Sequence, residues 1–470
     1  MQPLTKRFTD ILENYRFSRP FWLLAAGSFI NRAGRFVAPF FAIYLTSSLH
    51  FTISEATLVI SIMGLGSLAS GICGGVLSDI IGRRPTILIS LLIGAGILLA
   101  LGFASHIVLI TGLALLYTFF ADLAAPAISA AVADTTPTQK LPQAYSLRYW
   151  TNNIGSAIGP VLAGLLAPIS YLLLFLGDAL TTFCFSLLIW FGLPETHQPR
   201  KAATKEHVDN RQHLSIALSD PWLWSYALLA FLFDCVYMQS MTAIPLDMQA
   251  HTLSPFAYGS IMGISAVEVV LISLPVTALC NRFFPNTSLS IAALLLGIGM
   301  GLFSMLHTYQ GFLLGVAIWT LGEIPYFPTS VAIIADISPA HLRGTYQGIF
   351  QTIRAVAVVV APGLGGFVMQ QFNAAFLWQI CFVIGLLVAT GYFAVGRLHH
   401  RYKSRAVLPV NNNNHALPFP KSLPSSEKST ILVKGLPLHI DEPQHAQAHT
   451  HARGEFTHSL NSLPSPKNIK

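Results

Sequence analysis

Long apolar runs separated by short polar stretches occupy most of the chain. A helix needs roughly 20 apolar residues to cross a bilayer core of about 30 Å, and these runs have that length. They must be helices, because hydrocarbon tolerates no unpaired backbone groups and the runs lack the alternation of barrel strands. Twelve membrane spans are predicted, at roughly 20–46, 55–78, 86–104, 108–133, 143–167, 170–192, 221–248, 256–279, 288–306, 310–335, 344–369 and 374–396.

A polar segment in the middle of the chain divides these spans six and six. The first span lacks a small-residue cleavage site, so we expect it to be retained and not removed as a secretory signal. The tail, rich in Pro, Ser, Asn and His, is expected to be a disordered solvated segment, with weak metal binding as the less favoured alternative. The predicted divisions are an N-terminal segment 1–19, a six-helix bundle 20–192, a linker 193–220, a second bundle 221–396 and the tail 397–470.

Composition and charge agree with a membrane protein. Only 10% of the residues are charged, against about a quarter in soluble domains. The net charge of +7 does not indicate nucleic-acid binding, because Lys and Arg lie in every second loop. This positive-inside distribution predicts a multi-pass protein of the inner (plasma) membrane with both termini cytoplasmic. Lys and Arg are absent from the alternate loops, near 48–54, 105–107, 168–170, 249–255, 307–309 and 370–373.

The two halves of the chain contain traces of an internal repeat. The segment PAISAAVADTTP, which starts at Pro126, resembles PTSVAIIADISP, which starts at Pro328, 202 residues later. Pro160 recurs at Pro362 with the same offset. Two copies of six spans insert with the same topology, so we expect an axis along the membrane normal and a cavity between the halves.

A short motif between the second and third spans carries a specific family resemblance. The residues follow G-x-L-x-D-x-x-G-R-R, and together with the six-plus-six spans they resemble the major facilitator superfamily. The resemblance implies an all-α integral membrane protein with twelve transmembrane helices in two bundles. It also implies that the motif joins spans two and eleven in the outward-facing state. Ile80 departs from the family pattern, where Arg is usual, and an orienting basic loop is the alternative. The motif residues are Gly75, Leu77, Asp79, Gly82, Arg83 and Arg84.

The fifth span contains G-x-x-x-G-P-x-x-A-G, formed by Gly155, Gly159, Pro160 and Gly164. This pattern is similar to the antiporter motif of the drug:proton efflux branch, so the resemblance favours export over uptake. Ordinary close packing of small residues is the alternative. The fourth span departs from that branch, because it lacks the usual Arg and offers Asp122 instead.

Charged side chains inside the spans are the candidate coupling and cavity residues. Each costs about 2.5–3.5 kcal/mol at a bilayer centre and therefore requires a partner or a cavity. Arg35, Arg148 and Asp178 are charged too, but Asp178 is expected to have a structural role. A permanent ion pair is the alternative for every candidate. The six residues favoured for proton coupling or for the substrate cavity are Arg32, Asp122, Asp234, Glu268, Glu323 and Arg354.

The expected function is proton-coupled efflux of small amphipathic compounds by alternating access, with protons, a small-molecule substrate and the lipid bilayer as partners. We expect a monomer without cofactor or metal, since the five cysteines have no paired spacing. No nucleotide-binding loop is present, which favours an ion gradient as driving force. Two alternatives stay open: a symporter of a sugar, osmolyte or organic acid, or an exporter of one metabolite such as a siderophore. A membrane enzyme or receptor is disfavoured, because no nucleophile–base pair occurs.

Overall fold

The computed structural model describes residues 17–196, 210–280 and 282–406, and these ranges are helical without any β-strand. The helices of the first half are α1 (Arg19–Ala33), α2 (Val37–Ile43), α3 (Ile53–Ile81), α4 (Arg83–Phe103), α5 (Ile107–Thr135), α6 (Leu141–Leu166) and α7 (Tyr171–Gly192). Those that follow are α8 (Asn210–Leu218), α9 (Pro221–Tyr237), α10 (Gln239–Ala250), α11 (Pro255–Cys280), α12 (Pro285–Leu302), α13 (Tyr309–Ile337), α14 (Arg343–Gln371) and α15 (Ala374–Ala406).

Polar residues at the edges of the apolar runs start the helices. The Ser18 hydroxyl accepts a hydrogen bond from the backbone N–H of Phe21 at the start of α1, at 3.4 Å. Thr52 and Glu55 form a reciprocal capping box at the start of α3. Such caps satisfy backbone donors that have no partner within the helix, so the short polar loops fix where the helices begin.

Nine spans in the described ranges are long and apolar enough to cross a membrane: α3, α4, α5, α7, α9 with α10, α11, α12, α14 and α15. Large apolar side chains point away from the protein on these helices; Ile72 is 72% exposed and Phe191 is 81% exposed. These findings confirm an all-helical membrane protein. The predicted spans one, five and ten coincide with α1–α2, α6 and α13, which lie outside the nine, and the count of twelve stays a prediction.

Spans one and seven are broken near their middle. α1 ends at Ala33, and the chain unwinds over Gly34–Phe36 before α2 begins. Pro39 explains the break, since a proline removes one backbone donor and clashes with the carbonyl four residues earlier. The second break falls at Met238, between α9 and α10, 202 residues after Phe36. The two halves therefore repeat a structural feature as well as a sequence pattern.

The halves touch each other at one end of the molecule. We name this the non-basic end, because it carries the loops without Lys and Arg; the other is the basic end. α3 packs on α14, α6 on α11 and α2 on α10. Hydrogen bonds join Ser54 N to Gln370 Oε1 at 2.7 Å and Gly363 N to Ser61 Oγ at 2.8 Å. These contacts lie in the portions of α3 and α14 that are nearest the non-basic end.

The glycines of α3 and α14 differ between the two ends. At the non-basic end, Cβ atoms on Gly363 and Gly366 would meet Ser61 and Thr57 of α3. At the basic end, Cβ atoms on Gly71, Gly75, Gly344 and Gly348 would meet nothing within 4 Å in the described part of the protein. The structure is thus closed between α3 and α14 at the non-basic end and separated at the basic end.

Two predicted domain boundaries differ from the helices. α15 continues to Ala406, ten residues beyond the predicted end of span twelve at 396, and α8 occupies part of the predicted linker. Most of the N-terminal segment, residues 197–209 of the linker and the tail from 407 lie outside the described residues. The division into two bundles stays a prediction.

Candidate functional site

Asp122 links three helices of the first half. Its Oδ1 accepts a hydrogen bond from Nη2 of Arg35 at 3.1 Å, and its Oδ2 accepts one from the Ser67 hydroxyl at 2.5 Å. Arg35 belongs to the unwound stretch between α1 and α2, Ser67 to α3 and Asp122 to α5. Both charged side chains are about one-third exposed, at 29% and 36%. The carboxylate therefore connects its own helix, α5, to the break between α1 and α2 and to α3, and it retains access to water.

Arg32 does not form the ion pair with Asp122, although it lies nearby. It lines a cavity of about 100 Å³ together with Arg35, Asp122, Arg148 and Asn152. Nη1 of Arg148 donates to the Ser129 hydroxyl at 3.0 Å. Nε of Arg148 and Oδ1 of Asn152 are buried and have no hydrogen-bond partner among the described residues. This first-half cavity is thus rich in positive charge.

Asp234 and Arg354 form a bidentate ion pair in the second half. Nε of Arg354 lies 2.6 Å from Oδ2 of Asp234, and Nη2 lies 3.2 Å from Oδ1. Asp234 is 5% exposed and Arg354 is 15% exposed. The guanidinium also stacks over the ring of Phe327 at 5.0 Å. The pair joins α9 to α14, and its two parallel hydrogen bonds make it geometrically specific.

Glu323 has a neutral partner instead of an arginine. The Tyr237 hydroxyl donates to Oε1 of Glu323 at 2.9 Å. The ring of Tyr237 packs edge-on against Trp319 and Phe327. A second carboxylate, Glu268, belongs to α11, which packs on α13, the helix of Glu323.

The contacts of the two halves are related by the repeat. Arg35 and Tyr237 are 202 residues apart, and Asp122 plus 202 is residue 324, next to Glu323. The Arg35–Asp122 and Tyr237–Glu323 contacts therefore join equivalent spans at equivalent depths. The second-half pair Asp234–Arg354 corresponds to residues 32 and 152, which both line the first-half cavity. Arg32 thus stands where the second half has Asp234, whereas Arg354 corresponds to the neutral Asn152.

Asp178 holds the backbone at the break in span one, where the expected structural role was a permanent ion pair between helices. Its side chain is buried, and Oδ2 accepts a hydrogen bond from the backbone N–H of Val37 at 3.2 Å. Val37 is the first residue of α2, so the carboxylate caps the helix that resumes after the break. A carboxylate at a helix N-terminus is stabilised by the backbone donors and the helix dipole.

The motif between α3 and α4 forms a cluster with α5 and with the residues that follow α7. Arg83 pairs with Asp79 at 2.6 Å and with Asp134 at 3.4 Å. The backbone N–H groups of Arg83 and Arg84 donate to the carboxylate of Glu195. Asp79 remains 73% exposed.

Gly82 has a backbone reason for being glycine. Its φ is +101°, which side-chain-bearing residues rarely adopt, and a Cβ there would lie 2.7 Å from the Glu195 carboxylate. Gly75 has open space on its helix face, Leu77 is partly buried, and Ile80 is exposed. The predicted link from this motif to span eleven stays a prediction.

The small residues of α6 serve two different contacts. Cβ atoms on Gly155 and Gly159 would lie 2.8 Å from Cβ of Arg32 and 3.2 Å from its carbonyl oxygen. A Cβ on Gly164 would lie 3.0 Å from Cα of Phe256 on α11, and Pro160 faces Gly259 of the same helix. One end of the motif thus holds α6 against the arginine-bearing helix, and the other holds the two halves together.

Sequence reasoning missed several partners of the site. It included Arg35 among the intramembrane charges but favoured Arg32, and it gave no role to Ser67. The repeat offset provided a signal for Tyr237, since it maps this residue onto Arg35. Ser67 gave no comparable signal, because isolated serines are common in apolar spans.

Comparisons with known proteins agree with this architecture. The chain matches the sequence profile described as Major Facilitator Superfamily over residues 24–362 and 235–424. The uncharacterized MFS-type transporter YqjV of Bacillus subtilis (strain 168) is 25% identical over 358 residues, covering 75% of this chain and 87% of that protein. A Na(+), Li(+), K(+)/H(+) antiporter of Planococcus maritimus is 22% identical, covering 81% and 96%. The multidrug resistance protein MdtH of Edwardsiella ictaluri (strain 93-146) is 23% identical, covering 75% and 89%.

Solved structures share the fold at low identity. A crystal structure of the nucleoside transporter NupG has a TM-score of 0.65 at 16% identity, covering 80% of this chain and 100% of that chain. A crystal structure of the peptide transporter POT in complex with sulfate has a TM-score of 0.68 at 15% identity, covering 82% and 95%. At this identity the likeness extends to the fold alone.

Proposed function

The chain belongs to the Major Facilitator Superfamily and is a multi-pass membrane transporter of small molecules, not an enzyme; from this premise we propose that it exports amphipathic compounds in exchange for protons. The basic end faces the cytoplasm in this proposal, as the distribution of Lys and Arg predicts. A cavity between the halves then opens to one side of the membrane at a time. The inner (plasma) membrane is the proposed location, and the monomer is the proposed unit.

One observation supports the proton coupling: each half has a carboxylate that joins two of its own helices at equivalent positions. Asp122 bonds to Arg35 in the first half, and Glu323 bonds to Tyr237 in the second. Protonation of Asp122 removes the negative charge that holds Arg35 and replaces one acceptor oxygen by a donor. Arg35 must then bind water or an anionic group instead. The hydrogen bonds that connect α5 to the break between α1 and α2 and to α3 weaken as a result. Proton uptake therefore alters the packing of three helices.

Glu323 offers a second, weaker proton site. Its hydrogen bond comes from the neutral hydroxyl of Tyr237, so protonation strands no buried cation there. Glu268 is a second carboxylate on α11, which packs on the helix of Glu323. We therefore assign the conformational effect of the proton to Asp122 and a relay role to Glu323 with Glu268.

The direction of transport is supported by the conformer and by the motif in α6. The α3–α14 contact is closed at the non-basic end and separated at the basic end. If the basic end is cytoplasmic, this conformer loads its substrate from the cytoplasm, as an exporter does. A symporter visits the same conformer to release its substrate, so direction requires a measurement.

Aromatic side chains support an amphipathic substrate. Tyr237 and Phe327 pack edge-on against each other beside Glu323, and both rings are only partly buried. Such rings provide apolar and cation–π contacts to a hydrophobic cation. Two relatives have names that agree with exchange or efflux, a cation/proton antiporter and a multidrug resistance protein.

Everted vesicles with an acidified lumen test this proposal. Adding a panel of amphipathic cations is expected to release protons from vesicles carrying the unaltered protein. Asp122→Asn abolishes the release, because the residue no longer exchanges a proton, and Glu323→Gln slows it. Glu55→Gln is the matched control, since glutamine keeps the capping box at the start of α3.

Two outcomes contradict the proposal in different ways. Normal proton release by both Asp122→Asn and Glu323→Gln would refute the assignment of the coupling acids. Proton entry into the vesicles driven by an inward substrate gradient, with substrate and proton moving in the same direction, would establish the symporter instead.

A further inference from the structure

Three side chains of metal-binding type meet at the non-basic end, away from the residues assigned to transport. Asp247 and His251 lie at the end of α10, and His307 lies between α12 and α13. One ligand atom from each of the three side chains lies within 4.8 Å of the others. No sequence motif brings them together, since 56 residues separate His251 from His307.

Asp247 is held in an orientation that leaves one oxygen available. Its side chain is fully buried, and Oδ2 accepts a hydrogen bond from Nε1 of Trp378 at 2.7 Å. Oδ1 is buried, accepts no hydrogen bond from the described residues and has Nδ1 of His251 as its ion-pair neighbour at 3.2 Å. The same Nδ1 lies 3.0 Å from the backbone oxygen of Asp247, which can only accept, so Nε2 of His251 is the nitrogen left for a metal. A buried carboxylate oxygen without a hydrogen bond is costly unless a cation lies near it. The indole also acts as the outer partner that metal-binding carboxylates usually have.

The two histidines lie side by side next to this carboxylate. Their rings are parallel to within 4° and their centroids are 4.2 Å apart. Nδ1 of His307 is buried and also lacks a hydrogen-bond partner in the described part of the protein. His251 is 35% exposed, so an ion can reach the group from solvent at the non-basic end. Two buried ligand atoms, Oδ1 of Asp247 and Nδ1 of His307, therefore lie beside a solvent-accessible imidazole.

We propose that Asp247, His251 and His307 bind a divalent transition-metal ion, with Zn²⁺ as the best match to the donor set. Imidazole and carboxylate ligands suit Zn²⁺ at bonds of about 2.0–2.2 Å, and the corners of such a tetrahedron lie roughly 3.3 Å apart. The ligand atoms lie within 4.8 Å of one another, so the most distant pair needs to approach by up to about 1.5 Å when the ion binds. Three protein ligands leave the fourth position to water.

The bound ion would fasten α10 to the loop before α13. α10 also contacts the first half, where the Thr46 hydroxyl donates to Oε1 of Gln249 at 3.1 Å. An ion at Asp247 therefore stabilises the segment that closes the non-basic end. This site is independent of the proposed proton coupling.

Zinc binding to the purified full-length protein tests the proposal. Calorimetric titration with Zn²⁺ at neutral pH is expected to show one tight site per chain, together with a rise in the unfolding temperature. His251→Gln combined with His307→Gln removes that site. Trp378→Phe removes the outer hydrogen bond and weakens binding about 10- to 100-fold.

Two control variants separate this site from other histidines. His106→Gln alters an exposed histidine at the non-basic end of the first half, and it should bind Zn²⁺ as the unaltered protein does. Replacement of the tail residues His445, His449, His451 and His458 should also leave the tight site intact. Folding of each variant is checked by gel filtration and by unfolding without metal. Absence of a tight site in the unaltered protein, or loss of the site with the tail histidines alone, would overturn the proposal.

Discussion

Replacing Gly366 by alanine tests the closed contact between α3 and α14. A Cβ at this position would lie 2.5 Å from Cβ of Thr57 and 2.6 Å from its Cγ2. Ordinary contacts of this kind begin near 3.4 Å, so the two helices must separate by about 1 Å. Thr57 is 1% exposed and its Cβ is fixed to the backbone, which means that no rotamer change relieves the overlap.

The expected cost of this overlap is about 1–3 kcal/mol, the usual range for overpacking. That free energy shifts the ratio of conformers by roughly 5- to 150-fold towards the state opened at the non-basic end. Gly348→Ala is the matched control, because it lies on the same helix and meets nothing within 4 Å. Both substitutions gain about the same helix propensity, so their difference isolates the overlap.

Spin labels at the non-basic ends of α3 and α14 measure the effect through their distance distribution. Gly366→Ala should enrich the long-distance population, while Gly348→Ala leaves the unaltered distribution in this conformer. Combining Gly366→Ala with Thr57→Gly should restore the short distances. Identical distributions for Gly366→Ala and Gly348→Ala would refute the argument that glycine is needed for this closure.

Three further predictions concern stability, each measured as thermal unfolding in detergent. Asp234→Asn should lower the free energy of unfolding by about 3–5 kcal/mol, because it leaves the buried charge of Arg354 unpaired. The double variant Asp234→Leu with Arg354→Met should cost less, because it leaves no unpaired charge. Equal losses in the two variants would contradict the ion-pair assignment. Asp178→Ala should lower the free energy of unfolding by about 1–3 kcal/mol, because the N–H of Val37 loses its acceptor. Asp178→Asn keeps an acceptor oxygen and should cost clearly less. Equal costs for the two variants would contradict the capping of α2 by this carboxylate. Gly82→Ala should cost about 1–2 kcal/mol through its positive φ, and an unchanged unfolding temperature would argue against strain there.

The helical fold could be predicted because hydrocarbon imposes a simple rule on composition and length. The repeat offset of 202 residues also predicted a real correspondence, since the two breaks and the two interhelical contacts follow it. These features depend on patterns that run along the chain, which a single sequence displays. The matching family confirms the class of protein but leaves its substrate and coupling ion as proposals.

The choice of partners could not be predicted to the same degree. Arg32 and Arg35 are three residues apart, so an unbroken helix would place both on one face. The unwound stretch at Gly34–Phe36 ends that register, and only Arg35 reaches Asp122. Proline and glycine indicate that a break occurs but not how the following residues turn.

The group at Asp247 was missed for a different reason, since the sequence analysis expected no metal. Its histidines are separated by two complete helices and share no recognisable spacing. Only the packing of α10 against the loop before α13 brings them together.

The intramembrane charges of the two halves have opposite excess, which gives the interior an electrical polarity parallel to the membrane plane. In the first half, Arg32, Arg35 and Arg148 outnumber Asp122 and Asp178, whereas in the second half Asp234, Glu268 and Glu323 outnumber Arg354. A zwitterionic solute entering between them has its lowest energy with the ammonium group turned to the second half and the anionic group to the first. Such a field sorts molecules by the order of their charges before any shape-specific contact forms.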